Sequence, residues 1–208
     1  MKPIPRLLLV TDRHLVGEER LVSVIRAAVR GGVEGVQVRE KDLPDEALER
    51  LVHRILDAVE ERAVVLLNDR PHLARRLGLG LHLPEASPPP QGNWPLWGRS
   101  VHSPEAAVRA ARENPDYLIA GPVYPTDSKP GGLPLGREGL RAIVRAAGGI
   151  PVLAIGGIGA GRVREVVEAG TWGVAVRGAI LRSEDPEHAA REIRRAVEEA
   201  RKAVRPSR

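Results

Sequence analysis

The sequence predicts a single (β/α)8 TIM barrel, on three observations. Eight short apolar runs of strand length alternate with longer segments whose apolar residues recur at three- and four-residue spacing, the helical period. Alternation of this kind closes most economically as a parallel barrel ringed by helices. The chain has 208 residues, near the lower end for such a barrel, with neither a linker nor a shift in composition, so residues 1–208 are expected to form one domain. A doubly wound open sheet is the alternative. The glycine fingerprint of dinucleotide sites is missing after the first run, where Thr11-Asp12-Arg13-His14 stands.

Taken in order, the expected strands are 7–10, 35–38, 63–67, 79–83, 96–101, 117–120, 151–155 and 172–176. They are short and apolar enough for buried parallel strands. Segments 18–29 and 45–60 carry the apolar spacing of amphipathic helices. Ser103-Pro104-Glu105 is a helix start, because Ser accepts from an orphan N–H and Pro has no N–H to lose there. Segments 139–147, 162–169 and 186–204 complete the helices. Pro and Gly fill 84–95, so a loop or a broken helix is expected.

The net charge is +5, and the basic residues alternate with Glu along helical segments, as in Arg191-Glu192-Ile193-Arg194-Arg195. That is the pattern of a solvated, salt-bridged face. No nucleic-acid partner is expected, since no reading motif is present and 2 Tyr, 3 Trp and no Phe make a poor stacking platform. Small phosphorylated molecules fit the charge better. Cysteine is absent, which excludes disulfides, thiolate metal sites and thiol nucleophiles. The apolar run at 7–10 is too short for a signal-peptide core or a membrane span, so a cytoplasmic protein without membrane contact is expected. Of 32 basic side chains only four are lysine: Lys2, Lys41, Lys129 and Lys202. A chain that nearly always chooses the planar guanidinium keeps a compact ammonium, a common phosphate ligand, at two internal loop positions.

In a barrel, the residues just after each strand converge on the rim where ligands bind. Gln37, Arg39 and Lys41 alternate along QVREK and share one side if the strand runs through them. Three polar groups facing a barrel interior need a partner, and an anionic ligand suits them. Asn68 and Asp69 follow the third strand, and Asp69 is the residue type for a metal ion or for capping the next helix. Ser100 and His102 follow the fifth strand, and histidine suits proton transfer near neutrality. Thr126, Ser128 and Lys129 follow the sixth. Gly156-Gly157 after the seventh and Arg177-Gly178 after the eighth stand where barrels hold phosphate on backbone N–H groups.

The pieces VTD, QVREKD, LNDR, GLHLPE, GRSVHS, GPVYPTDSKPG, AIGGI and VRGAI, in this order, resemble the thiamin phosphate synthase/TenI family along nearly the whole chain. The resemblance implies a (β/α)8 barrel that acts in thiamin biosynthesis on a phosphorylated thiazole substrate; oligomeric state stays open, a homo-oligomer being allowed. Two activities occur in the family. A synthase joins hydroxymethylpyrimidine diphosphate to thiazole phosphate and releases pyrophosphate. By resemblance, Gln37, Arg39, Lys41, Asn68, Ser100 and Lys129 would then hold the pyrimidine diphosphate, and Asp69 would contact Mg2+. Thr126, Ser128, Gly157 and the loop at Arg177-Gly178 would hold the thiazole phosphate. A TenI-type tautomerase instead aromatises a thiazole carboxylate phosphate by proton transfer, without metal, and His102 matches the histidine assigned that work. Synthases continue GVHxGQxD after the fourth strand, its last Asp being a second magnesium ligand. Here Ser87 stands at that place, with Glu85 as a substitute carboxylate, and HLPE and GRSVHS look like TenI. These departures imply the tautomerase as the first reading, with no cofactor. The synthase, with Mg2+, is the alternative, and a catalytically silent ligand-binding or regulatory barrel is the third.

Overall fold

Eight parallel strands, among the described residues, close into one barrel in chain order. They are β1 (Leu7–Val10), β2 (Gly35–Val38), β3 (Val64–Asn68), β4 (Gly80–Leu83), β5 (Trp97–Val101), β6 (Tyr117–Ala120), β7 (Val152–Ile155) and β8 (Gly173–Val176). The helices between and after them are α1 (Glu18–Arg30), α2 (Asp45–Val59), α3 (Pro71–Arg76), α4 (Pro104–Ala111), α5 (Gly136–Ala146), α6 (Ala160–Glu168), α7 (Gly178–Leu181) and α8 (Pro186–Val204). The computed structural model describes residues 3–126 and 133–204, so Ser128 and Lys129 lie outside the described residues.

The strands are apolar on both sides because both sides are covered. Successive side chains alternate across a strand, and two cores result. Leu8, Leu66, Leu96, Tyr117 and Leu153 pack together inside the barrel. Leu7, Leu9, Val36 and Val38 face outward onto helix residues such as Leu21, Ile25, Leu51 and Ile55. Burying each such side chain stabilises the fold by about 1.5–3 kcal/mol, which selects this register over one slipped by a residue. Gly98 in β5 is explained by its neighbour across the ladder. A Cβ there would sit 2.3 Å from Tyr117 Cζ, so only glycine leaves room for the phenol ring inside the barrel.

The expected strands are present, most with edges displaced by one residue. One expectation fails: QVREK does not continue β2 as a strand, which ends at Val38. Local side-chain bonds replace the ladder. Thr11 Oγ1 accepts from the Arg39 N–H at 2.9 Å and donates to Glu40 at 2.6 Å. The Arg13 N–H donates to the same buried carboxylate at 3.1 Å. Arg39 and Lys41 therefore ride a pinned loop. The 84–95 stretch is a loop, and Ser103 Oγ accepts from the Ala106 N–H at 3.1 Å to cap α4. α3 and α7 escape the periodic pattern because six and four residues are too few to display a helical repeat.

Candidate active site

Each strand sends one side chain to the floor of a cavity of about 490 Å3 at the C-terminal end of the barrel. The floor is divided. Gln37, Asn68, His82 and Ser100, from β2 to β5, make a polar arc, while Ile119, Ile155, Ala175 and Val10, from β6 round to β1, make an apolar one. A ring with one hydrogen-bonding edge suits such a floor.

The polar arc is wired from below. Gln37 Nε2 donates to Asn68 Oδ1 at 3.0 Å. That leaves Gln37 Oε1 buried without a partner, on a residue only 3% exposed. His82 Nε2 lies 2.9 Å from Ser100 Oγ, and His82 Nδ1 lies 3.1 Å from the Tyr117 hydroxyl. Burial, then the charges of Arg99 and Arg39, push His82 from its ordinary 6.5 down to about 3, so the ring is neutral near pH 7. Burial also raises Tyr117, which keeps its proton.

The rim is cationic. Arg39, Lys41, Arg177 and Arg182 all border the cavity. Burial, then the Arg177 charge, hold the Arg39 guanidinium below the ordinary arginine value, against the opposing effect of Asp12 and Glu40. Asp12 pairs with Arg177 Nη1 at 2.7 Å. The loop that carries Arg39 and Lys41 is held by Arg13, whose guanidinium meets both oxygens of Asp42 at 2.7 and 2.6 Å. That pairing, led by the hydrogen bond, raises Arg13 and lowers Asp42.

The remaining expected residues mostly converge here. Thr126, Gly156, Gly157 and Gly178 line the cavity beside Arg177. Gly157 has φ +65, and a Cβ on it would lie 2.8 Å from Pro125 O, so glycine is required where this turn meets the loop after β6. His102 reaches the cavity from the loop after β5, where its backbone N–H and Nδ1 both lie 2.9 Å from Glu85 Oε2.

Asp69 departs from one of its two expected roles, that of helix cap. It does not cap α3, whose cap residue is Arg70 with no side-chain capping bond, because Asp69 adopts φ +56 and turns aside. Its carboxylate borders a neighbouring cavity of about 280 Å3, where Oδ1 accepts from Ser87 Oγ at 3.0 Å. The sequence reading missed His82, Tyr117, Arg99 and Arg182. His82 and Arg99 were visible as polar residues inside the apolar strands GLHL and WGRSV, whereas nothing marks Arg182. Buried Arg99, at 2% exposure, uses Nη1 to hold the carbonyls of Pro84, Glu85 and Ser87 at 2.9, 3.2 and 2.6 Å.

Comparison with known proteins agrees with this geometry. The family model described as thiamine monophosphate synthase matches residues 7–180. A putative thiamine-phosphate synthase of Geobacter sulfurreducens is 39% identical over 198 residues, covering 90% of this chain and 92% of that protein. The thiamine-phosphate synthase of Thermus thermophilus is 40% identical over 193 residues, covering 90% and 94%. A solved structure of thiamine phosphate pyrophosphorylase from Pyrococcus furiosus superimposes with a TM-score of 0.81 at 34% identity, covering 94% of this chain and 96% of that one. The chain belongs to the thiamine monophosphate synthase family.

Proposed function

We propose that the protein is a thiamine-phosphate synthase, which joins hydroxymethylpyrimidine diphosphate to thiazole phosphate and releases pyrophosphate. The observation that carries this reading is Gln37 Oε1, a buried acceptor in the cavity floor without a partner. Leaving such a group unpaired costs about 1–3 kcal/mol, so the position suits a ligand N–H. An aminopyrimidine has an amino group to present there, and a thiazole has none. Relatives named thiamine-phosphate synthase at 39% and 40% identity support the same choice over the tautomerase implied by Ser87 and GRSVHS.

In this reading the ring lies on the divided floor, its polar edge toward Gln37, Asn68 and Ser100. Arg39 and Lys41 face the diphosphate, with Lys129 expected to join them. Thr126, Gly156-Gly157 and Arg177-Gly178 receive the thiazole phosphate, with Ser128 expected beside them. The bond that breaks joins the pyrimidine methylene carbon to a diphosphate oxygen, and its electron pair leaves with pyrophosphate. The thiazole nitrogen supplies the pair for the new C–N bond. Fixed cations at the rim stabilise the charge that gathers on the departing group.

The residues at Asp69 fit a loosely held Mg2+. Among the described residues no group of three or more His, Cys, Asp or Glu could cage an ion. Mg2+, however, commonly keeps waters and binds one or two carboxylates plus substrate phosphates. Asp69 Oδ1 and Ser87 Oγ, both oxygen donors 3.0 Å apart, supply a carboxylate and a hydroxyl for that mode. Bound there, the ion would neutralise charge on the diphosphate.

The tautomerase remains a second reading on one observation, the Glu85–His102 pair at the cavity, in which a carboxylate orients an imidazole as for proton transfer. Calorimetric titration separates the two. The synthase predicts that hydroxymethylpyrimidine diphosphate binds with Mg2+ present and that Gln37→Leu weakens it about 5- to 100-fold, while thiazole phosphate binding changes little. Binding of the thiazole ligands alone, unaffected by Gln37→Leu, would contradict the proposal.

A further inference from the structure

Tyr117 is fully buried inside the barrel, and among the described residues its hydroxyl has one partner, His82 Nδ1 at 3.1 Å. The ring of His82 is 1% exposed, and its other nitrogen has one partner, Ser100 Oγ at 2.9 Å. Turning the imidazole over would exchange both nitrogens for carbons and lose both bonds, so the ring orientation is fixed by its neighbours. Only the proton positions remain to be assigned, and the hydrogen-bond inventory assigns them.

A phenol proton buried without an acceptor costs about 1–3 kcal/mol. Tyr117 therefore donates, and His82 Nδ1 accepts. A cationic ring would donate from both nitrogens, orphan that phenol proton and place a buried charge where Arg99 and Arg39 repel it. The ring is thus neutral, with its proton on Nε2, which donates to Ser100 Oγ. The Ser100 hydroxyl proton then has no described protein acceptor, and Ser100 lines the cavity.

We propose that Tyr117 and His82 are positioning residues that fix Ser100 as a hydrogen-bond donor to the cavity, so that the polar arc recognises a ring edge bearing a donor opposite Gln37 Oε1 and an acceptor atom opposite Ser100. The identity of that ring rests on the synthase reading. The polarity of the chain does not.

The test is a two-bond 1H–15N correlation spectrum of 15N-histidine-labelled protein without ligand, which distinguishes protonated from bare ring nitrogens. The chain has 6 histidines, and His82 is identified as the ring whose signals move in Tyr117→Phe. The wild type is expected to hold the proton on Nε2. Tyr117→Phe, checked for folding by its melting temperature, removes the donor to Nδ1, and the two nitrogen signals move toward each other. The same substitution weakens hydroxymethylpyrimidine diphosphate about 3- to 10-fold by calorimetry. Ser100→Ala does the same, and the double variant is no weaker than either single one. A wild-type ring protonated on Nδ1, or on both nitrogens, overturns the proposal. So does a Tyr117→Phe protein whose tautomer is lost while its affinity is intact. A missing coupling reaction with the Nε2 proton in place counts against the synthase reading and leaves the polarity of Ser100 standing.

Discussion

At the residue scale, the site works by leaving particular groups unsatisfied. Gln37 Oε1 lacks a donor, and Arg39 sits half-buried beside a second guanidinium, so a ligand that presents an N–H and an anion would relieve both. Arg39→Gln is expected to lower kcat/KM for the pyrimidine diphosphate about 100- to 1000-fold, the usual effect of removing one group that stabilises developing charge, in a steady-state assay of pyrophosphate release. His82 gives a stability prediction. Its folded pKa is depressed from 6.5 to about 3, so its contribution is complete above pH 6.5 and is lost as pH falls toward 3, where the unfolded chain binds a proton and the folded one does not. Urea titrations should give the wild type a slope about 1.4 kcal/mol per pH unit steeper than His82→Gln between about pH 6 and 3. Equal slopes would show that the folded ring protonates normally. Lys41 was legible in the sequence because lysine is scarce beside arginine, and Arg39 because it alternates with Gln37 and Lys41 along QVREK. His82 stood out only as a polar residue in an apolar strand, and Tyr117 not at all, because what such a side chain does in a four-residue strand depends on neighbours that barrel closure supplies.

At the element scale, the loop after β4 is the piece that brings separate parts of the site together. Glu85 turns inward to His102 and Ser87 turns to Asp69, while Arg99 holds the carbonyls between them from inside β5. Arg99 is itself anchored to Glu113 by an ion pair at 2.7 Å. Arg99→Ala leaves the partly exposed Glu113 without its partner and three loop carbonyls without their donor, so it is expected to cost about 1–3 kcal/mol in urea unfolding. Amide hydrogen exchange across 84–91 should accelerate in that variant well before the barrel strands exchange. Uniform acceleration throughout the protein would contradict the assigned local role. The sequence could place this segment only as a loop or a broken helix, since nothing in its prolines says which residue grips it from beneath. The pinned turn after β2 has the same origin: Thr11, Arg13 and Glu40 meet only after β1 and β2 have paired.

At the scale of the whole molecule, barrel closure decides which residues meet. Alternation of apolar runs and helical spacing made the (β/α)8 fold readable, because each strand is covered on both sides and each helix on one. Closure then carries one residue from every strand to a common floor, and the eight positions split into a polar and an apolar half. A ligand on that floor links distant strands, so binding should stabilise the barrel. If the protein is a synthase, hydroxymethylpyrimidine diphosphate at 100 times its Kd is expected to add about 2.7 kcal/mol, which would raise Tm by roughly 5–10 °C for a domain of this size. Pyrophosphate release from hydroxymethylpyrimidine diphosphate in the presence of thiazole phosphate and Mg2+ decides whether the protein is a synthase. The synthase predicts turnover that requires both substrates and yields one thiamin phosphate per pyrophosphate. Absence of that turnover, with the thiazole carboxylate phosphate aromatised in EDTA by the wild type and not by His102→Ala, would contradict it.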